Sequence, residues 1–402
     1  MRKDNRKNLL ILSFTLVVVT LGFGMVIPIF PFYIERLGAS GVQYGVLIAI
    51  YAVMQFLFAP LWGGLSDRVG RKPVLMVGIL GGGLTMLMFG LASQLWLLYL
   101  ARFLSGLLTS AAMPAAMAYI GDSTSEQERG GGIGRLGAAA GLGLILGPGL
   151  GGWLAGDSLS LPFFLSAGFS FVSLALIAFL LPESLHDQSR SHKGKLMLVD
   201  LGGLWRALFG PIGVLLLMAF LVSFAATNFQ VIFGLYALKK FDFDPTQVGV
   251  VLAVTGLVSA LIQGALTGPL TRRWDETLLI KLFLLTNALG FLVLLLAYDY
   301  PTVLLTTGIY VLSHTLLRPV VQSLTSKRAT LGQGTAMGLN NAFISLGQIA
   351  GPLWAGFTLD VHLDLPYVSG ALILFVGFLI ALFTLSPRRL DAGEAPGPLQ
   401  IT

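Results

Sequence analysis

The chain has 402 residues, of which 55% are hydrophobic and 11% charged, with a formal net charge of +6 and a mean hydropathy of +0.83. That charged fraction is less than half of the roughly 25% carried by a soluble domain, so water is not the solvent for most of the surface. There is no cysteine, and the four histidines (His186, His192, His314, His362) form no i,i+4 pair; disulfides and thiolate sites are excluded, and neither a metal site nor a catalytic constellation is expected.

Taken in order, apolar segments of about 20 residues predict twelve spans, at 9–34, 42–62, 74–93, 96–119, 131–155, 162–181, 208–237, 246–269, 277–298, 301–325, 333–359 and 366–386. The tail "MRKDNRKN" runs into an apolar stretch too long for a signal peptide and without a nearby small-residue cleavage pattern, so it reads as a retained first helix. An even number of spans places both termini on one side. That side then carries 18 Lys and Arg residues against three (Arg36, Lys239, Lys240) on the other. Basic residues mark the cytoplasmic face, which predicts a multi-pass protein of an inner or plasma membrane with both termini in the cytoplasm. The same bias explains the net positive charge without a nucleic-acid partner; the partners expected are a small-molecule substrate, protons and the lipid bilayer, and the chain is expected to be a monomer.

Span 2 carries Gln55 and ends in "GGLSDRVGRKPVL", which packs Asp67, Arg68, Arg71 and Lys72 around Gly64 and Gly70. The glycines permit a tight return into the membrane, and Asp67 can meet a helix N-terminus or an arginine. Span 4 holds Arg102, about 9 Å deep, with Gly106 one turn on; a charge within a span is expensive and marks a functional candidate. Arg129 follows in "GDSTSEQERGGG". Span 5 contains "GLILGPGLGG", with Gly143, Gly147, Pro148, Gly151 and Gly152, where proline kinks the helix and glycine admits a close neighbour. After the polar linker, Asn228 and Gln230 lie in span 7, Gln263 in span 8 and Asn287 in span 9. Span 10 aligns Thr307, His314, Arg318 and Gln322 on one face, beside Pro319, and span 11 carries Asn340, Asn341 and Gln348. Such a polar stripe is expected to face a wet cavity. Phe30, Phe32, Phe229 and Phe233 are candidate aromatic walls. No Asp or Glu falls deep in any span, which with two embedded arginines favours neutral or anionic amphiphiles. His314 is the expected proton carrier, with Asp67 as its rival.

An internal repeat organises the chain. "QYGVLIAIYAV" at 43–53 matches "QVGVVLAVTGL" at 247–257, an offset of 204, and at that offset Gly143, Gly147 and Pro148 fall on Gly347, Gly351 and Pro352. Two parallel six-helix halves are the architecture of transporters whose site lies between the halves. The predicted divisions are a bundle at 1–185, a cytoplasmic linker at 186–206, a bundle at 207–390 and a flexible tail at 391–402.

The charged knot resembles the loop 2–3 signature of the major facilitator superfamily, with Gly64, Asp67, Arg68, Gly70, Arg71 and Lys72 at its defined positions. The resemblance covers nearly the whole chain and implies an all-α membrane fold of two six-helix bundles related by a pseudo-twofold axis. It also implies a cytoplasmic latch in which Asp67 meets a helix start in the other half, with Arg129 as partner. The second copy, "GPLTRRWDETL", has Thr271 where the acid would be. Arg102 and Gly106 resemble the family's span 4 motif, linked to proton transfer, and the span 5 segment resembles its antiporter signature. Span 1 resembles the drug-exporter branch but lacks an early aspartate, with Thr20 near its place. The resemblance thus implies proton-coupled efflux of small amphiphiles, driven by the proton gradient without a cofactor. A metabolite, sugar or lipid transporter without proton coupling, and a non-transporting membrane sensor or partner, remain the alternatives.

Overall fold

The computed structural model describes residues 3–124, 126–156, 158–185, 200–329 and 332–385, with the side chains of 3–7 and 126–129 outside that description. The described residues form helices and no strand. In the first half these are α1 (Lys3–Val26), α2 (Phe30–Arg36), α3 (Gly41–Val69), α4 (Arg71–Leu91), α5 (Leu95–Thr109), α6 (Ala112–Ser123), α7 (Glu126–Ala155) and α8 (Leu161–Leu180). After α9 (Leu201–Leu208) come α10 (Gly213–Phe241), α11 (Pro245–Arg273), α12 (Glu276–Leu294), α13 (Tyr300–Lys327), α14 (Gln333–Val361) and α15 (Leu365–Thr384). Twelve segments are long and apolar enough to cross a membrane.

Three expected elements differ in detail, each for a local reason. Span 1 stops at Val26, turns, and resumes as α2, because Pro28 has no backbone donor and Pro31 suits the first turn of a new helix. Span 4 breaks at Ser110 and Ala111 into α5 and α6; Pro114 cannot donate to the carbonyl four residues back, which is that of Ser110. The last residues of the expected linker form α9, capped by Asp200 accepting from the Gly203 N–H at 2.8 Å. The expected linker positions 186–199 and the tail from 386 lie outside the described residues.

The repeat is visible in how helices start and whom they meet. Ser40 and Gln43 make a reciprocal capping box at the start of α3, and Asp244 and Gln247 make the same box, 204 residues on, at the start of α11. In the first bundle α1 packs on α7, α4 on α8, and α3 on α5; in the second α10 packs on α14, α12 on α15, and α11 on α13. The bundles meet mainly through α3 with α14 and α7 with α11. Each bundle has its own aromatic core. Phe30, Phe89 and Phe163 pack edge to face or tilted in the first, and Phe229, Tyr310 and Phe291 in the second. Phe30, Phe229 and Phe233 are therefore buried packing groups instead of cavity walls. Large apolar side chains such as Phe179, Leu305 and Phe383 are exposed on the outside, as a lipid-facing surface requires.

Candidate functional site

A cavity of about 1050 Å³ lies between the bundles at the end where α3 finishes, α14 begins and the linker helix sits, here called the linker face. Gln55 and Phe56 of α3, Met113 of α6, and Asn341 and Ser345 of α14 line it, and α9 contributes Leu204 and Arg206 at its mouth. The lining is largely apolar, with amide and hydroxyl groups set into it. Of the sequence-predicted residues, Gln55 and Asn341 reach this space.

The opposite end is shut by backbone meeting backbone. A Cβ on Gly45 would stand 2.3 Å from the Pro352 carbonyl oxygen, and one on Gly356 would stand 2.1 Å from that of Gly41. On the other seam a Cβ on Gly152 would lie 2.4 Å from the Pro245 oxygen and one on Gly249 2.5 Å from that of Pro148. Only glycine allows helices to touch so closely. Polar ties complete the seal. The Gly41 and Val42 N–H groups donate to the Asp360 carboxylate at 2.7 and 2.8 Å, so an acid ending α14 caps α3 of the other half. Lys239 lies 3.6 Å from Glu35, and the Thr246 hydroxyl donates to the Gly152 carbonyl at 3.2 Å. The sequence offered no sign of the Asp360 contact, because a cap supplied from 319 residues away has no local spacing.

The charged knot stands at the linker face and closes within the first bundle. Arg71 pairs with Asp67, and it donates to Asp122 at 2.9 Å and to the Ser66 hydroxyl at 2.8 Å. Glu183 accepts the backbone N–H groups of Arg71 and Lys72 at 2.9 and 3.1 Å, and Lys72 Nζ donates to the Ala178 carbonyl at 2.8 Å. Gly70 (φ 113°) makes the turn, and a Cβ there would stand 2.4 Å from the Glu183 carboxylate. Arg68 ends α3, and Gly64 lies one turn before it. Asp67 thus pairs with Arg71, and the start of α14, preceded by Gly332, has no side-chain cap. The side chain of Arg129, its expected partner, lies outside the described residues.

Arg102 is buried, with its guanidinium 4.1 Å from the Phe30 ring centre, 5.3 Å from Phe89 and 5.7 Å from Tyr51. An aromatic cage supplies what a carboxylate would otherwise provide. Gly106 lets α5 approach α3, since a Cβ would meet the Tyr51 oxygen at 2.6 Å. The antiporter-like segment works two seams at once. Gly143, Gly147 and Gly151 face α1, with Gly143 against Thr20; the Pro148 ring also abuts Gly24 of α1, while its carbonyl and Gly152 meet α11 of the other bundle.

The remaining polar candidates separate. Asn228 is fully buried and donates to the Pro366 carbonyl at 2.9 Å, a packing bond. Asn287 bonds the His314 ring at 3.2 Å, and that ring stacks on Tyr310. Gln230 and Gln263 are exposed, and Gln348 is half-buried. Arg318 and Gln322 border a pocket of about 10 Å³ with Ser223 and Asn340. Groups of three or more metal-ligating side chains are absent among the described residues.

Two repeated bundles around a one-sided central cavity define a membrane transporter. The profile of the Major Facilitator Superfamily matches residues 12–330 and 215–399, and the chain belongs to that family. It is 31% identical over 373 residues, 92% of each chain, to Multidrug resistance protein 2 of Bacillus subtilis. It is 28% identical to Quinolone resistance protein NorA of Staphylococcus aureus, covering 94% of this chain and 96% of that one. Among solved structures the nucleoside transporter NupG superposes with a TM-score of 0.78 at 14% identity, covering 93% of this chain and 98% of NupG.

Proposed function

We propose that this transporter exports small amphiphilic compounds in exchange for protons by alternating access. The observation that carries the reading is the central cavity, reachable at the linker face and sealed at the other by paired glycines and the Asp360 cap. With the basic linker face taken as cytoplasmic, and the membrane as a bacterial-type inner or plasma membrane, this is an inward-open state. Substrate would enter from the cytoplasm or inner leaflet. The bundles would then rock, parting the glycine seams and bringing Asp67 to the start of α14.

The apolar lining with scattered amides suits compounds with an oily body and a polar end. The names of the relatives, multidrug and quinolone resistance, support efflux. Protons moving down their gradient supply the energy, no cofactor is required, and a monomer suffices because both halves of the cavity are in one chain. His314 and Asp67 are the groups we assign for test as proton carriers.

Everted vesicles containing the protein decide the matter. Accumulation of a fluorescent amphiphile that collapses on adding a protonophore is the expected result. Equilibration that ignores the protonophore would make the protein a facilitator, and absence of any flux would refute transport of that class. An unchanged pH dependence in His314→Ala would remove the histidine from the coupling step.

A further inference from the structure

Arg102 and Arg318 both lie within membrane-crossing helices, and the fold treats them differently. Arg102 is caged by three aromatic rings. Arg318 is exposed, and no ion pair or hydrogen bond to its guanidinium occurs among the described residues. It stands nine residues before the end of α13, about 13 Å inside the helix terminus. An arginine at that depth without a partner is costly.

Lipid does not receive it. The lipid-facing side of α13 carries Leu305, Ile309 and Leu312, which are 64%, 42% and 50% exposed. Arg318 lies about 120° or more round the helix from each of them. It borders instead the small pocket between α10, α13 and α14, with Gln322 and Asn340. Asn340 is fully buried, and both atoms of its side-chain amide lack a partner. A buried amide with neither donor nor acceptor used calls for a polar partner, either a water or a ligand atom. The pocket volume of about 10 Å³ admits about one water-sized atom and excludes a ring, so a single oxygen of a larger head can enter it while the exposed guanidinium meets the rest. Asn341, the next residue, lines the main cavity, so α14 places the pocket at the cavity's depth.

We infer that Arg318, Asn340 and Gln322 form the docking point for an oxyanion on the substrate, a carboxylate or sulfonate whose apolar body occupies the main cavity. The inference rests on the transport reading and names its substrate class. The guanidinium fork matches a carboxylate edge, the Asn340 amide N–H supplies a further donor, and the pocket takes one oxygen of the head and none of the body. The substrate anion provides the counter-charge that the chain omits.

The test measures binding to the full-length protein in nanodiscs, using pyrenebutyrate, its methyl ester and ethidium. A charge-assisted contact predicts that the acid binds about tenfold tighter than the ester, and more tightly than ethidium. In Arg318→Gln the acid-to-ester ratio falls to about two or less, and in Arg318→Lys it is intermediate because charge survives and the fork does not. Gln322→Leu, at a half-buried position, narrows the ratio by about threefold and serves where Arg318→Gln fails to fold. An acid-to-ester ratio near one in the unsubstituted protein overturns the proposal, as does a tenfold ratio that survives Arg318→Gln. Binding is read without flux, so a protein that binds the acid selectively but moves nothing refutes the transport reading alone. Transport with no acid preference refutes the anion site alone.

Discussion

Replacing Asp360 by Asn tests the seal directly. The carboxylate takes two backbone N–H groups at the start of α3, at 2.7 and 2.8 Å, from the end of a helix in the other bundle. Hydrogen bonds to a charged acceptor are worth about 1.5–3 kcal/mol each, and a charge at a helix N-terminus adds about 0.3–1 kcal/mol. Asp360 is exposed, so solvent screening reduces both contributions. Asparagine keeps one acceptor oxygen and loses the charge, leaving a net loss of about 1–2 kcal/mol. Only the sealed state makes these bonds, so the ratio of inward-open to outward-open protein falls about five- to thirtyfold. The chain has no cysteine, so spin labels can be placed without background. One pair, Ala39→Cys with Tyr298→Cys, spans the sealed face; another, Val69→Cys with Trp274→Cys, spans the linker face. Pulsed electron resonance should show the first distance lengthening and the second shortening in Asp360→Asn. Unchanged distance distributions in a folded variant would refute the argument and leave the seal to glycine packing alone.

Gly45→Ala places a methyl 2.3 Å from the Pro352 oxygen and should depress the sealed state by about 1–3 kcal/mol. Gly338→Ala, where a Cβ meets nothing within 4 Å, should leave the same label distances unchanged. Arg71→Ala strands Asp67 and Asp122 and empties a nearly buried site, so thermal unfolding in detergent should show a loss of about 2–3 kcal/mol; a loss within 0.5 kcal/mol would mean that the knot is idle in this state. Asp364, at the start of α15, gives a pH signature. Burial pushes its carboxyl upward, but Lys240 at 2.8 Å and the Tyr236 hydroxyl at 2.8 Å outweigh it, with His362 assisting, and hold it below 3.8. A depressed carboxyl contributes stability above its unfolded value and loses it as pH falls through the folded one. Asp364→Asn should therefore melt lower than the unsubstituted protein at pH 7, and the two should converge as pH drops below about 3.8; a constant gap would refute the coupling.

Much of the fold was legible because it follows from solvent and repetition. Runs near 20 apolar residues specify spans, and a constant offset of 204 specifies that the halves match. Proline also marked the two interruptions, at Pro28 and Pro114, but hydropathy passes smoothly over both, so spans 1 and 4 read as unbroken. The site was legible only in part. Glycine signatures announced close packing, and Gly143 and Gly152 do pack closely, yet only coordinates reveal that they serve different partners. The aromatic cage around Arg102 joins α2, α3, α4 and α5, and the cap from Asp360 joins opposite halves; neither has a period along the chain. Phe30, Phe229 and Phe233, candidates for a cavity wall but more commonly packing groups, are core; an apolar ring carries no sign of which apolar surroundings it prefers.

Helix α9 bears directly on the proposed cycle. Leu204 and Ala207 of α9 line the chamber together with Pro60 and Leu339, while Leu201, Trp205 and Phe209 are exposed. If the halves rock as proposed, shutting the chamber at this end must also displace α9, which stands as a wedge among the lining residues.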